Sequence, residues 1–287
     1  MIHSNFIDLH LIKLVLQVKE ILIRTASGIV FLIIVLGSIL LHPMAFLVVF
    51  GGFTLLGMKE YFNLTDVSSG HLRYVYALVG LLLYFLLGLI GTGALEVVHS
   101  LWVLLLLPIV VIAQLFTQKQ NWTEISSVLS GYIYVVVPFA LMNWFDFLSN
   151  STGIFANYLL FSLFIIVWCY DIFAYLTGSF FGKHKMFERV SPKKTWEGFA
   201  GGLVFALLAA YVFSLFFDQL NVLQWLVLAL IIVVTATLGD LSESMLKRFA
   251  GVKDSGSIMP GHGGILDRFD AVLFATPFVL IYLDIII

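Results

Sequence analysis

Nine apolar stretches divide this 287-residue chain, and they leave few architectures open. They fall at about residues 25–41, 43–58, 74–90, 101–116, 126–145, 155–181, 199–217, 222–239 and 269–287. A helix needs about 20 apolar residues to cross a bilayer, whereas a barrel strand needs only about 9–11. The stretches have the helical length and lack the alternation of barrel strands. The expected fold is therefore all-α: a polytopic membrane protein with about nine transmembrane helices. Composition agrees. The chain is 61% hydrophobic and 11% charged, with a mean hydropathy of +1.06. Soluble domains carry about 25% charged residues, so a soluble globular enzyme is excluded. Disorder is excluded by the same apolar content and by a net charge of only −2. A pI near 6.4 argues against a basic nucleic-acid binder, and no nucleic-acid partner is expected. The single cysteine, Cys169, permits no disulfide within the chain and no cysteine metal site.

The segments organise the chain into three regions: 1–24, 25–150 and 151–287. In the first, His10, Lys13, Gln17, Glu20 and Arg24 recur at helical spacing. Leu11, Leu14, Val15, Val18 and Leu22 fall on the other side, the pattern of an amphipathic helix lying at the membrane interface. No small-residue cleavage site follows the first apolar run, so no cleavable signal is expected. The second region carries amino-terminal transmembrane helices. Its first two, joined by His42 and Pro43, are expected as a tight hairpin or a re-entrant pair. The third region carries the remaining helices and two charged loops, 182–198 and 240–268, which hold nine of the 15 Lys and Arg residues.

Orientation follows from those cations. Lys13, Lys19 and Arg24 precede the first span, and all the others follow even-numbered spans. Lys59 and Arg73 follow the second and Lys119 the fourth. Lys183, Lys185, Arg189, Lys193 and Lys194 follow the sixth. Lys247, Arg248, Lys253 and Arg268 follow the eighth. One missed span would have split them between the two sides. The positive-inside rule then sets the amino terminus in the cytoplasm and the carboxyl terminus outside. The expected location is a bacterial cytoplasmic membrane, with the charged loops on its cytoplasmic face.

Three groups of residues have chemical potential. Asp240 closes the eighth apolar stretch, and Asp267 and Asp270 open the ninth, three apart on one helix face. Acids from two helices that face one another repel unless a cation lies between them, and carboxylate oxygens suit hard ions such as Mg²⁺. Helix capping accounts for Asp267 or Asp270 alone. It does not account for Asp240 at the end of an apolar run. Between them lies a glycine-rich loop with His262, of the kind that exposes backbone N–H groups to phosphates. Glu243 and Lys247, four apart, read as a surface ion pair. In the other loop, Ser191 and Pro192 resemble a cap and first helical position. That would set Lys193 and Lys194 in a first helical turn, a place unfavourable for cations unless an anion binds there. The anion could be a triphosphate or a lipid head group. Asp171 lies inside the sixth span, where an ionisable group is costly and marks a functional position by default.

Residues 244–270 are similar to the signature of the phosphatidate cytidylyltransferases, also called CDP-diglyceride synthases. The residues that carry the resemblance are Ser244, Lys247, Arg248, Lys253, Asp254, Gly256, Pro260, His262, Gly263, Gly264, Asp267, Arg268 and Asp270. Met259 departs from the usual Leu, Ile or Phe. Residues 182–202 and the Gly239-Asp240-Leu241 tripeptide resemble the family as well, so the likeness covers roughly the last 120 residues. It implies that CTP and phosphatidic acid yield CDP-diacylglycerol and pyrophosphate with Mg²⁺, on an all-helical fold that forms a homodimer among membrane lipids. A second, monovalent cation is left open. The resemblance assigns a metal centre to Asp240, Asp267 and Asp270; charge and place put Lys253 beside it in catalysis. Charge and place add Asp171, Ser191, Lys193, Lys194, Lys247, Arg248, His262 and Arg268 as substrate contacts. Asp267→Asn is expected to abolish product formation while leaving the protein inserted.

Two rivals stay open on sequence. A CTP-using lipid-alcohol kinase would move the γ-phosphate instead of the nucleotidyl group. A transporter would place Asp171 on a conduction path, but the cations and glycines crowd into one half instead of recurring in two. A CDP-alcohol phosphotransferase lacks its acid motif here.

Overall fold

The computed structural model describes residues 2–287 other than 68–69, 118–120, 150–156 and 262, and leaves aside the side chains of 2–21, 146, 147 and 149. Among the described residues, nine helical segments are long and apolar enough to cross a membrane. The chain is a multi-pass, all-helical membrane protein with one small hairpin of strands. The first helix, α1 (Ile2–Leu41), is continuous, and its apolar part is Leu22–Leu41. The polar stripe expected at His10, Lys13, Gln17 and Glu20 concerns side chains outside the described residues.

Helix α2 (Pro43–Leu64) starts sharply because Pro43 suits the first helical position and the His42 ring accepts from the Met44 N–H. α1 and α2 are therefore two full helices, not a re-entrant pair. α3 (His71–Gly91) follows, then a 3₁₀ turn (Val97–Trp102) leading into α4 (Val103–Leu115). The next span begins as α5 (Trp122–Gly131), widens into a π turn (Tyr132–Val136) and continues as α6 (Val137–Leu141). Pro138 has no N–H to give back to the preceding turn, and a π turn is one way a helix absorbs that loss. A short α7 (Trp144–Ser149) leads to α8 (Tyr158–Phe181), α9 (Trp196–Phe216), α10 (Val222–Phe249) and α11 (Leu266–Ile286).

Phe269 ties the two halves of the chain together. Its ring is fully buried and lies 5.4 Å from Phe31, 5.6 Å from Phe50, 5.1 Å from Phe139 and 6.2 Å from Phe164. Rings from α1, α2, α6 and α8 thus grip the second turn of α11, largely edge to face, which is the favoured aromatic geometry. Because Phe269 faces inward, its neighbours Arg268 and Asp270 are turned to other sides of the helix.

Two boundaries differ from the sequence reading. α10 does not stop at Gly239 but continues through Phe249. The polar stretch after Gly239 still places Leu241 and Leu246 on the protein side, so the apolar stripe outlasts the uniformly apolar run. The helix ends only at Gly251, whose φ of 71° suits glycine, with Gly251 N–H on the Arg248 carbonyl and Val252 N–H on that of Lys247. Second, Ser191 and Pro192 do not open a helix. Residues Ser191–Thr195 form strand β2, antiparallel to β1 (Lys185–Phe187). The helix cap is Thr195, whose hydroxyl accepts from the Gly198 N–H at 3.2 Å. Glu197 pins the hairpin to the helix start by accepting from the Lys183 and His184 N–H groups and meeting the His184 ring at 2.5 Å. Lys193 and Lys194 consequently project from a strand.

Candidate active site

The charged residues gather where α8, the hairpin, α10 and the start of α11 meet, around a cleft of about 760 Å³. Asp171 comes from α8; Ser191, Lys193 and Lys194 from β2; Asp240, Lys247 and Arg248 from α10. Lys253 comes from the following loop, and Asp267, Arg268 and Asp270 from α11. His262 lies outside the described residues. The cleft is closed on one side by tight packing of α10 on α11. A Cβ added at Gly239 would lie 2.6 Å from the Asp270 carbonyl oxygen and 2.7 Å from the Phe274 Cβ. Only glycine lets the two backbones approach so closely.

That approach brings three acids together. Carboxylate oxygens of Asp240, Glu243 and Asp270 lie within 4.8 Å of one another. Asp240 and Glu243 share a face of α10 through their spacing of three, and Asp270 meets them from α11. Glu243 is fully buried. Its Oε2 accepts from the Lys247 ammonium at 2.5 Å, and its Oε1 has no hydrogen-bond partner. A buried acceptor left unsatisfied costs about 1–3 kcal/mol, and more when charged. The Tyr134 hydroxyl, in the π turn, is also buried without a hydrogen-bond partner and interacts electrostatically with Asp270 and Glu243. An all-oxygen set of three convergent carboxylates with an open lone pair fits a hard divalent cation.

The cations of the site are distributed around this trio. Lys194 pairs with Asp240, and the Ser244 hydroxyl donates to the same carboxylate at 3.3 Å. Lys247 bridges Glu243 and Asp267, with 2.6 Å to the latter. Lys247 and Glu243 do form the pair their spacing predicts. It is buried, not on the surface, because α11 covers it. Asp267 lines the cleft but uses its carboxylate differently from the trio. One oxygen takes Lys247, and the other accepts from the N–H groups of Ser255 and Gly264, both at 2.8 Å, and from the Ser255 hydroxyl at 2.9 Å. Lys193, Arg248, Lys253 and Arg268 complete a rim of positive charge around the cleft.

The cytidylyltransferase family profile matches residues 22–286. The chain belongs to the cytidylyltransferase family. A phosphatidate cytidylyltransferase of Staphylococcus aureus is 34% identical over 263 residues, which is 91% of this chain and 98% of that one. One from Staphylococcus saprophyticus is 47% identical over 137 residues, 47% of this chain and 51% of its own. One from Haemophilus influenzae is 46% identical over 126 residues, 42% and 44% respectively. In these last two the chain spans about half the length of the relatives it matches.

Within this cytidylyltransferase fold, two acids are more prominent than the sequence suggested. Glu243 stands three residues after Asp240, so its place on the same face was visible in the spacing, but its burial was not. Glu60, in α2, is 2% exposed and reaches the loop before α11. No local signal marked it, since its partners lie 195 or more positions away.

Proposed function

We propose that this protein is a phosphatidate cytidylyltransferase, joining CTP and phosphatidic acid to give CDP-diacylglycerol and pyrophosphate. The observation that carries this reading is the meeting of Asp240, Glu243 and Asp270 in one cleft rimmed by Lys193, Lys194, Arg248, Lys253 and Arg268. Acids that would hold a divalent cation lie beside cations that would hold phosphates, and both substrates are phosphate esters.

In the proposed reaction, a phosphate oxygen of phosphatidic acid forms a bond to the α-phosphorus of CTP. The bond from that phosphorus to the bridging oxygen breaks, and pyrophosphate leaves with the electron pair. The lipid phosphate is already anionic near neutral pH, so no strong general base is required. The protein's task is to orient and to neutralise charge. Asp240, Glu243 and Asp270 would hold Mg²⁺, which when bound supplies charge neutralisation to the nucleotide phosphates. Lys247 aims Glu243 by bridging it to Asp267. Lys194, already beside Asp240, holds a phosphate oxygen at the inner end of the cleft. Lys193, Arg248, Lys253 and Arg268 steady the outer phosphates and the leaving pyrophosphate.

The cations that follow even-numbered spans support a cleft at the cytoplasmic face of a bacterial inner membrane, where CTP would arrive from water and phosphatidic acid from the leaflet. The working unit is a homodimer, as the family resemblance implies. The test is purified protein in vesicles containing phosphatidic acid, with CTP labelled on the α- or the γ-phosphate. The α-label should enter the lipid, only with a divalent cation, and the γ-label should leave as pyrophosphate. γ-Label in the lipid would identify a kinase and end this reading.

A further inference from the structure

Helix α11 carries Asp267 and Asp270, and its start is capped in an unusual way. The residue at the cap position is Ile265, which offers no side-chain oxygen to the free N–H groups there. The oxygen comes instead from Glu60 of α2. Its Oε1 accepts from the Ile265 N–H at 2.9 Å, and its Oε2 accepts from the Leu266 N–H at 2.9 Å and the Ser255 hydroxyl at 3.0 Å. The loop is built to admit this carboxylate. A Cβ at Gly256 would come within 2.5 Å of Glu60 Oε1, and one at Gly264 would meet both Ser255 Oγ and Glu60 Oε2.

Ser255 couples Glu60 to the site. Its hydroxyl lies 3.0 Å from Glu60 Oε2 and 2.9 Å from Asp267 Oδ2, so one proton serves two carboxylates. Asp267 in turn holds Lys247, and Lys247 holds Glu243. A continuous path of polar contacts therefore runs from the amino-terminal half to the acid whose second oxygen is open. Glu60 itself does not line the cleft.

We propose that Glu60 is a positioning residue for the carboxylate trio, fixing the first turn of α11 so that Asp270 stands opposite Asp240 and Glu243. This rests on the nucleotidyl-transfer reading and adds a residue to it. Glutamine at this position would point an amide N–H₂ at one of the backbone donors, breaking one bond while keeping the volume. Aspartate would fall short by one methylene.

The experiment uses the full-length protein in detergent and titrates Mn²⁺ by electron paramagnetic resonance without nucleotide. Thermal midpoint and turnover are measured alongside. Glu60→Gln should weaken Mn²⁺ binding by about tenfold, the lower end of the range for groups that orient metal ligands. The metal concentration for half-maximal turnover should rise in step. Thr54→Val is the control. Thr54 is fully buried in the same helix but bonds only to the Phe50 carbonyl, so it should lower the midpoint and leave Mn²⁺ affinity unchanged. If Glu60→Gln does not survive purification, Ser255→Ala carries the test, with a smaller loss of affinity in the same direction. Unaltered Mn²⁺ affinity in the variant that is measured overturns the proposal while the wild type still makes product. Wild type that binds no Mn²⁺ overturns it together with the metal reading. Wild type that makes no product overturns the proposed function instead.

Discussion

Glu60 and Glu243 are both buried acids, at 2% and 0% exposure, yet the two halves of the molecule treat them in opposite ways. Glu60, from the amino-terminal half, has both oxygens taken by three donors of the chain. Glu243, from the carboxyl-terminal half, keeps one oxygen open beside two further acids. The wider regions follow the same division. Around α3, the Tyr84 hydroxyl donates to the Leu47 carbonyl, Tyr132 to that of Tyr76, and Gln114 to the Tyr76 hydroxyl. These groups close on themselves. Around α10 and α11, like charges are held within 4.8 Å and oxygens are left over. An open oxygen alone is not the mark of a site, since Glu124 Oε1 also lacks a partner. What distinguishes Glu243 is the company of Asp240 and Asp270, the only such group among the described residues. Glu60 is saturated by its own chain, whereas Glu243 is left short of partners beside two other acids.

The largest effects should come from removing charge in the trio. Asp240→Asn and Asp270→Asn should each lower turnover by more than about 100-fold, exceeding the loss typical of groups that only orient metal ligands. Elution as a folded particle on size-exclusion chromatography would show that the bundle survives. Asp267→Asn should stop product formation too, but through loss of the Lys247 bridge, so its thermal midpoint should fall as well. Glu243→Gln comes next, at about 10–100-fold in turnover, because the amide presents a donor where an acceptor is required. Gly239→Ala tests geometry without changing charge. Its Cβ must displace Asp270, and overpacking of this kind costs about 1–3 kcal/mol, read as a lower thermal midpoint with reduced turnover. Smallest is Tyr84→Phe in the amino-terminal half. It removes a buried hydrogen bond worth about 0.6 kcal/mol in membrane proteins and should leave turnover intact. A clear fall in its turnover would break the division between the halves.

Most of the bundle was legible in the sequence because a bilayer imposes a length and a polarity that local composition records. All nine spans fall where apolar stretches lie, and α2, α8 and α10 begin or end within a few residues of the expected points. Asp240, Asp267 and Asp270 were legible as candidates because they sit at span boundaries where charge is conspicuous, and all three line one cleft, although the convergent trio has Glu243 in place of Asp267. Three features were not. The extension of α10 past Gly239 depends on α11 covering its polar face, a tertiary contact. The hairpin at Ser191–Thr195 is decided by Thr195 and Glu197, which outcompete Ser191 and Pro192 for the helix start. Glu60 is a cap supplied across the fold, and nothing near it in sequence announces partners 205 residues away.

The proposed role of Asp240, Glu243 and Asp270 is jointly to hold the divalent cation that receives CTP. Crystals grown with Mn²⁺ and CTP, with data collected at the manganese edge, test it most directly. The expected result is an anomalous peak within about 2.2 Å of carboxylate oxygens of Asp240, Glu243 and Asp270. A peak elsewhere in the cleft, with these carboxylates unliganded while nucleotide is bound, would contradict it.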